Sequence, residues 1–252
     1  MLEKDIERIL NEEVAALCRP DLFRTPIAAF SSAHDTRYDE LKEIIGPWHL
    51  SPKELLEDAQ SVISYFIPYT RAVAEDPANF KERSENGLAL WIDAYETFND
   101  YVNHVNEKLM AYLSSKEFSA KAVPATHTYD PKDMRCFFSH RSAAYISNLG
   151  VFGANRLIIT EKGSAGRFCT LFTSARLEVT KEPPTARCPY VDGGGCGLCI
   201  KACPVGALAN DNIDRFTCND ELLRNMDKLK RAALRHADVC GKCISVCPLA
   251  YA

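Results

Sequence analysis

Apolar side chains at intervals of three and four residues predict five helices in the first 150 residues. The first has Leu2, Ile6 and Val14 on one face. Ser51 followed by Pro52 is typical of a helix start, with proline at the first helical position. The predicted helical segments are residues 2–14, 41–45, 52–59, 87–115 and 134–149.

Short runs of apolar, β-branched and aromatic residues predict the strands. The clearest run is Ser61–Tyr69. The full set of predicted strands is residues 61–69, 121–123, 156–160, 168–173 and 176–179. Strands that alternate with helices predict an α/β or α+β core for about the first 180 residues.

The cysteines change this picture, because the rest of the composition is ordinary. The 252 residues are 46% hydrophobic and 25% charged, which excludes a disordered or fibrous chain. Eleven residues are cysteine, and eight of these fall between Cys188 and Cys247. Closely spaced cysteines in a reducing compartment are typical of metal sites or redox centres, whereas disulfide frameworks belong to oxidising compartments.

The charge and hydrophobicity of the chain indicate where the protein is located and which partners it binds. The N-terminal residues mix both charges, unlike a secretory signal, and no apolar run approaches the roughly 20 residues of a membrane-spanning helix. We therefore expect a cytoplasmic protein with no membrane partner. The formal net charge of -4 argues against a large nucleic-acid surface.

The cysteine-rich segment contains a duplicated motif. Cys196–Pro204 and Cys240–Pro248 both read C-G-x-C-I-x-x-C-P, and each copy has a further cysteine upstream, Cys188 or Cys218. A linker-like Glu182–Pro184 precedes the segment, so we predict one domain over residues 1–182 and a second over residues 183–252.

The duplication predicts two iron–sulfur clusters. Bacterial ferredoxins have the run C-x2-C-x2-C-x3-C-P, in which the fourth cysteine binds the other cluster. Applied here, that crossed pattern predicts two [4Fe-4S] clusters with the following ligands: Cys188, Cys196, Cys199 and Cys247 for one, and Cys203, Cys218, Cys240 and Cys243 for the other. Zinc, which also accepts four-cysteine sites, is the alternative.

The predicted fold class is α+β, with an α/β-type N-terminal domain and a C-terminal module like a two-[4Fe-4S] bacterial ferredoxin. A ferredoxin alone would not need so large an N-terminal domain, so we expect that domain to hold the chemistry.

Three stretches of the chain resemble the epoxyqueuosine reductase family. They are the eight-cysteine pattern, residues 139–168 and, more weakly, residues 50–69. The resemblance implies a corrinoid (cobalamin) in the N-terminal domain, which the two clusters reduce and which in turn reduces a substrate. The protein's part is then to bind and orient the cofactor.

Site residues follow from the resemblance alone. It places against the corrin a set of small, polar and basic residues: Gly150, Gly153, Asn155, Gly163, Gly166 and Arg167. The alternative is that these glycines only end a helix and form a turn. The family's catalytic aspartate falls on Met134, so the neighbouring Asp133 or Asp130 is the predicted proton donor.

The partners are implied in the same way. We expect an external electron donor of the ferredoxin or flavodoxin type, and a small-molecule or modified-nucleoside substrate. The acidic chain, which stops at Ala252, makes tRNA a less favoured substrate. The alternative function is a ferredoxin-type electron-transfer protein, or a reductive activator of a corrinoid protein, without its own bound cobalamin.

Overall fold

A four-stranded antiparallel sheet lies at the centre of the fold. The computed structural model describes residues 2–79, 88–123, 132–182, 184–209, 212–231 and 239–251. Its strands are β1 (Ile27–Ser32), β2 (Ser61–Pro68), β3 (Ala120–Ala122), β4 (Val151–Phe152), β5 (Ile158–Ile159) and β6 (Gly166–Thr173). The sheet has the order β1-β2-β6-β3, and β4 pairs with β5 in a separate hairpin. Every residue of β2 is buried, which explains why apolar residues predominate in it.

Helices cover the sheet. They are α1 (Leu2–Ala16), α2 (Arg37–Ile44), α3 (Pro52–Leu55), α4 (Arg71–Asn79), α5 (Ala89–Ser115), α6 (His140–Ile146), α7 (Leu198–Lys201), α8 (Arg215–Arg231) and α9 (Lys242–Ser245). The 27 residues of α5 bury one apolar stripe, from Trp91 to Leu113, in the main core. The buried face of α1, with Ile6, Leu10 and Val14, joins that core.

The predicted α+β class is confirmed. The core was predicted as either α/β or α+β, and the antiparallel pairing of its strands identifies it as α+β. Two predicted elements differ most from the structure. Residues 176–179 are not a strand: the Leu177 amide donates to Ser61 Oγ at 2.9 Å rather than to a neighbouring strand. The helix predicted from Met134 begins only at His140, because Met134 has a left-handed φ of 53° that a helix cannot accommodate.

The cysteine-rich segment packs directly on the preceding residues. Val239 and Ala250 belong to the main core. The amides of Ser164 and Ala165 donate to the Leu249 and Ala250 carbonyls at 3.0 and 2.9 Å. The division at residue 182 stays a prediction, and the two predicted domains share this packed boundary. Over the described ranges, no helix has both the length and the apolar character to cross a membrane.

Candidate functional site

The two copies of the duplicated motif fold in the same way. Gly197 and Gly241 both have a left-handed backbone, with φ of 60° and 67°, and each immediately precedes a one-turn helix. Glycine is the residue that adopts this conformation at little cost, which is the physical reason for the glycine in the C-G-x-C motif. The helices α7 and α9 carry Cys199 and Cys243 respectively.

Cys247 of the second copy lies with three cysteines of the first. Its thiol interacts electrostatically with Cys199, Cys188 and Cys196. All four line one small cavity that is partly open to solvent. The structure therefore brings together the four cysteines predicted for the first cluster, although they come from both copies of the motif.

The glycine-containing loop after Cys188 returns the chain to this cavity. The Asp192 amide donates to the Cys188 carbonyl at 3.1 Å, and the Gly194 amide donates to the Pro189 carbonyl. These two bonds close a tight turn, so that Cys188 and Cys196 line the same cavity.

The other four cysteines also form a group. The Cys243 thiol interacts with Cys240, Cys218 and Cys203, and with Cys199 of the first group. Cys218 lies on the first turn of α8, which the Asp214 side chain caps by accepting from the Phe216 and Thr217 amides at 3.0 and 3.1 Å. The structure thus brings the second predicted set together and places it beside the first.

Burial disfavours the charged form of several thiols in these groups. Burial, with added repulsion from Cys240 and Cys218, raises the pKa of Cys243 to about 12. Burial also raises the pKa of Cys199 and of Cys247, again with added repulsion from neighbouring cysteines. A metal centre removes this penalty because its ligating thiols are deprotonated outright.

Structural zinc, the alternative to the clusters, needs four ligands around a single point. Within the described ranges, no three His, Cys, Asp or Glu side chains form a group that could hold one metal ion.

Two of the residues predicted to contact a corrin lie at the first cysteine group, and their contact with a corrin stays a prediction. Gly153 and Asn155 line the cavity beside Cys188, Cys196 and Cys247. Sequence reasoning missed this contact, and also the cavity-lining residues Ala154, Tyr190 and Leu249. The contact joins segments far apart in the chain, so no local spacing could have indicated it.

The remaining predicted corrin contacts are packed against protein. A methyl group at Gly150 would lie 2.6 Å from the Ile159 carbonyl oxygen, and one at Gly163 would lie 2.4 Å from that of Ala250. Gly166 packs in the same manner on β2. The Arg167 guanidinium donates to Tyr69 Oη at 3.0 Å and lies over the Tyr95 ring. Protein atoms therefore occupy the side of each glycine on which a side chain would lie, and the predicted corrin contacts stay a prediction.

The structure describes one of the two predicted proton donors, Asp133. The Asp133 carboxylate pairs with Arg135 at 2.7 Å and is about one-third exposed. The Arg135 guanidinium in turn lies 4.1 Å from the centre of the Trp48 ring. Asp130 lies outside the described residues. The role of Asp133 in catalysis stays a prediction.

Arg141 of α6 extends from the N-terminal part of the chain toward the second cysteine group. Its Nη1 donates to the Arg156 carbonyl at 2.9 Å, and its charge interacts favourably with the thiols of Cys136 and Cys218. A cation beside Cys218 stabilises the thiolate form that a metal centre requires.

The cysteine-rich segment matches a known family. The family model of the 4Fe-4S double cluster binding domain matches residues 193–250, which include all of the eight clustered cysteines except Cys188. This match favours iron–sulfur clusters over zinc.

Curated relatives resemble more of the chain. The epoxyqueuosine reductase of Bacillus subtilis (strain 168) is 23% identical over 206 residues, and that of Cyclobacterium marinum is 27% identical over 205 residues. Both alignments cover 79% of this chain, and they cover 50% and 61% of the relatives. The chain therefore spans between half and two-thirds of the length of these relatives, and the predicted resemblance is confirmed.

Solved structures share the fold. An epoxyqueuosine reductase bound to an epoxyqueuosine-modified tRNA stem loop superposes with a TM-score of 0.57 at 19% identity, over 97% of this chain and 66% of that chain. A reductive dehalogenase, described as catalysing B12-dependent dehalogenation, superposes with a TM-score of 0.62 at 13% identity, over 90% of this chain and 30% of that chain.

Proposed function

We propose that this protein is an iron–sulfur oxidoreductase whose two cysteine groups each hold a [4Fe-4S] cluster. The observation that carries the proposal is the position of Cys247, which lines one cavity with Cys188, Cys196 and Cys199. When bound, clusters of this type supply single-electron transfer at a potential set by their surroundings.

Backbone amides contribute to those surroundings. The amides of Ile200, Lys242 and Leu249 lie close enough to the sulfurs of Cys199, Cys240 and Cys247, respectively, to stabilise the thiolates. Hydrogen bonds to ligating sulfurs are one of the means by which a protein sets the potential of a cluster.

The finer proposal is that a corrinoid accepts the electrons and reduces the substrate. It is supported by the resemblance to epoxyqueuosine reductases and by the fold shared with a B12-dependent dehalogenase. The residues expected to hold the corrinoid do not form one exposed surface. Gly163 and Gly166 pack on protein, and Asn155 lies at the cysteines.

That packing favours a second candidate function. Glycine-containing turns that pack on the cysteine-rich segment are compatible with a protein that binds no cobalamin of its own. Such a protein would be an electron-transfer protein or a reductive activator of a corrinoid protein. In both candidates the electrons come from an external donor of the ferredoxin or flavodoxin type. In the first candidate the substrate is a small molecule or a modified nucleoside, with a tRNA-borne nucleoside as the less favoured case.

Anaerobic reconstitution with iron and sulfide, followed by titration with cobalamin, tests these proposals in sequence. The iron–sulfur proposal predicts a brown protein whose visible absorbance bleaches on reduction. A colourless protein that binds zinc instead would contradict it.

The cobalamin step separates the two candidate functions. A corrinoid-dependent reductase should bind cobalamin with a shift of the cobalt spectrum to the base-off form. An unchanged spectrum at excess cobalamin, with intact clusters, would remove the corrinoid and leave the electron-transfer function. The matched control is the protein before reconstitution, which shows whether binding needs the clusters.

A further inference from the structure

The turn of the β4–β5 hairpin contacts both cysteine groups. Ala154, in the turn of this hairpin, is 4% exposed and shares an apolar cluster with Cys199. Three further cysteines pack against that cluster: Cys188 from the first group, and Cys203 and Cys243 from the second. One short segment therefore contacts both groups.

Asn155 uses both ends of its side-chain amide there. The residue is 4% exposed and lines the cavity of the first group. Its Nδ2 donates to the backbone carbonyl of Cys243, in the second group, at 3.3 Å. Its Oδ1 accepts from the Leu157 amide at 3.2 Å, which fixes the orientation of the side-chain amide.

The hairpin is a rigid support for this contact. The Gly153 amide donates to the Leu157 carbonyl at 2.8 Å, and the Arg156 amide donates to the Gly153 carbonyl at 2.9 Å. A methyl group at Gly153 would lie 3.0 Å from Asn155 Oδ1, so the glycine leaves room for the side-chain amide.

We propose that Asn155 is a positioning residue that fixes the placement of the Cys240–Cys243 turn relative to the first cysteine group. The bond to the Cys243 carbonyl leaves the Cys243 thiol free for a cluster, and the buried side chain spans the boundary between the two groups. The proposal rests on the proposed function, since it assumes that both groups hold clusters. The corrin contact that the resemblance implied for this residue stays a separate prediction.

The rate of iron release from the reconstituted full chain to a chelator tests the role of Asn155. Outer-shell partners of metal ligands typically change metal affinity by about 10-fold to 100-fold when they are mutated. We expect Asn155→Ala and Asn155→Asp to release iron about 10-fold faster than the native chain, with an altered electron paramagnetic resonance spectrum of the reduced clusters. Aspartate keeps the shape and the Oδ1 acceptor but lacks the donor to Cys243.

Asn106→Ala is the matched control. Asn106 is also a buried asparagine, and its Oδ1 accepts from Tyr65 Oη at 2.8 Å. Trp91, near the start of α5, lies beside Gly241 of the second cysteine turn. Asn106 is 15 residues further along the same helix, which places it about 22 Å from Trp91 at the rise of a helix. This variant should lose stability while it retains the native spectrum and the native rate of iron release.

Two results would overturn the proposal. The first is a native rate of iron release and a native spectrum in Asn155→Asp, whether or not the alanine variant folds. The second is an equal acceleration of iron release in Asn106→Ala. A native chain that binds no cluster would instead overturn the proposed function itself.

Discussion

His49 is a fully buried histidine beside the loop that carries Asp133. Its Nε2 accepts from the Ser139 amide at 3.1 Å, and its ring stacks on Phe138 at 5.3 Å. Its Nδ1 has no hydrogen-bond partner among the described residues. Burial lowers the pKa of His49 from its ordinary value of 6.5 to about 4, so the ring is neutral in the folded protein at neutral pH.

This shift makes the stability of the fold depend on pH. Between about pH 6.5 and pH 4 the unfolded chain binds a proton at His49 that the folded chain does not, so stability is full above this window and falls as the pH is lowered through it. We expect His49 to account for a loss of about 2 kcal/mol in the free energy of unfolding between pH 7 and pH 5. His49→Gln, measured by denaturant unfolding at both pH values, should remove that part of the loss.

His34→Gln is the control, because His34 is exposed. It should keep the native pH dependence. Equal pH dependence in the native chain and in His49→Gln would contradict the assignment.

At the scale of single residues, the sequence predicts the eight clustered cysteines but not the bond from Asn155 to Cys243. The eight cysteines are identified by a repeated spacing that iron–sulfur clusters require. The bond from Asn155 to Cys243 joins residues 88 positions apart, and nothing in its neighbourhood marks it. The family resemblance implies a corrin contact for Asn155 and does not predict this bond.

Elements with a strong apolar pattern were predicted, and those with a mixed pattern were not. The buried strand β2 and the long helix α5 match their predicted segments closely. Strand β1 was missed because its sequence, IAAFSS, is rich in alanine and serine, which are not typical of strands. Helix α4 was missed because it contains Pro77, which normally ends a helix.

The missed helix α4 and the predicted helix α5 form the surface on which the second cysteine turn packs. A methyl group at Gly241 would lie 2.6 Å from Pro77 Cγ and 3.0 Å from Trp91 Cε2. Gly241 also has a φ of 67°, which costs a residue with a side chain about 1–2 kcal/mol. With overpacking added, Gly241→Ala should lower the free energy of unfolding by about 2–4 kcal/mol.

Gly195→Ala provides the comparison in thermal or denaturant unfolding. Gly195 lies in the same cysteine-rich segment, but a methyl group there would meet nothing within 4 Å. This variant should unfold like the native chain. Equal stability of the two glycine variants would show that α9 does not pack on α4 and α5 as described.

Across the whole molecule, the cysteine-rich segment and the preceding residues depend on each other. Val239 and Ala250 complete the main core, and the Ser164 and Ala165 amides hold the residues that follow Cys247. Cluster binding should therefore stabilise the whole chain, since the binding free energy of a structural metal centre adds to that of folding. This coupling was not visible in the sequence, where a proline-containing linker indicated two separate units.

The crossed cysteine arrangement is the central claim, and Cys247→Ala tests it most directly. Anaerobically reconstituted native chain should contain about eight iron atoms, in two clusters. The variant should retain about four, and the resonance and Mössbauer spectra should show loss of the cluster built on Cys188, Cys196 and Cys199. Exposed Cys18 lies outside both groups, so Cys18→Ala should retain all of the iron. Loss of the cluster at Cys240 and Cys243 instead, or full iron content in Cys247→Ala, would contradict the crossed arrangement.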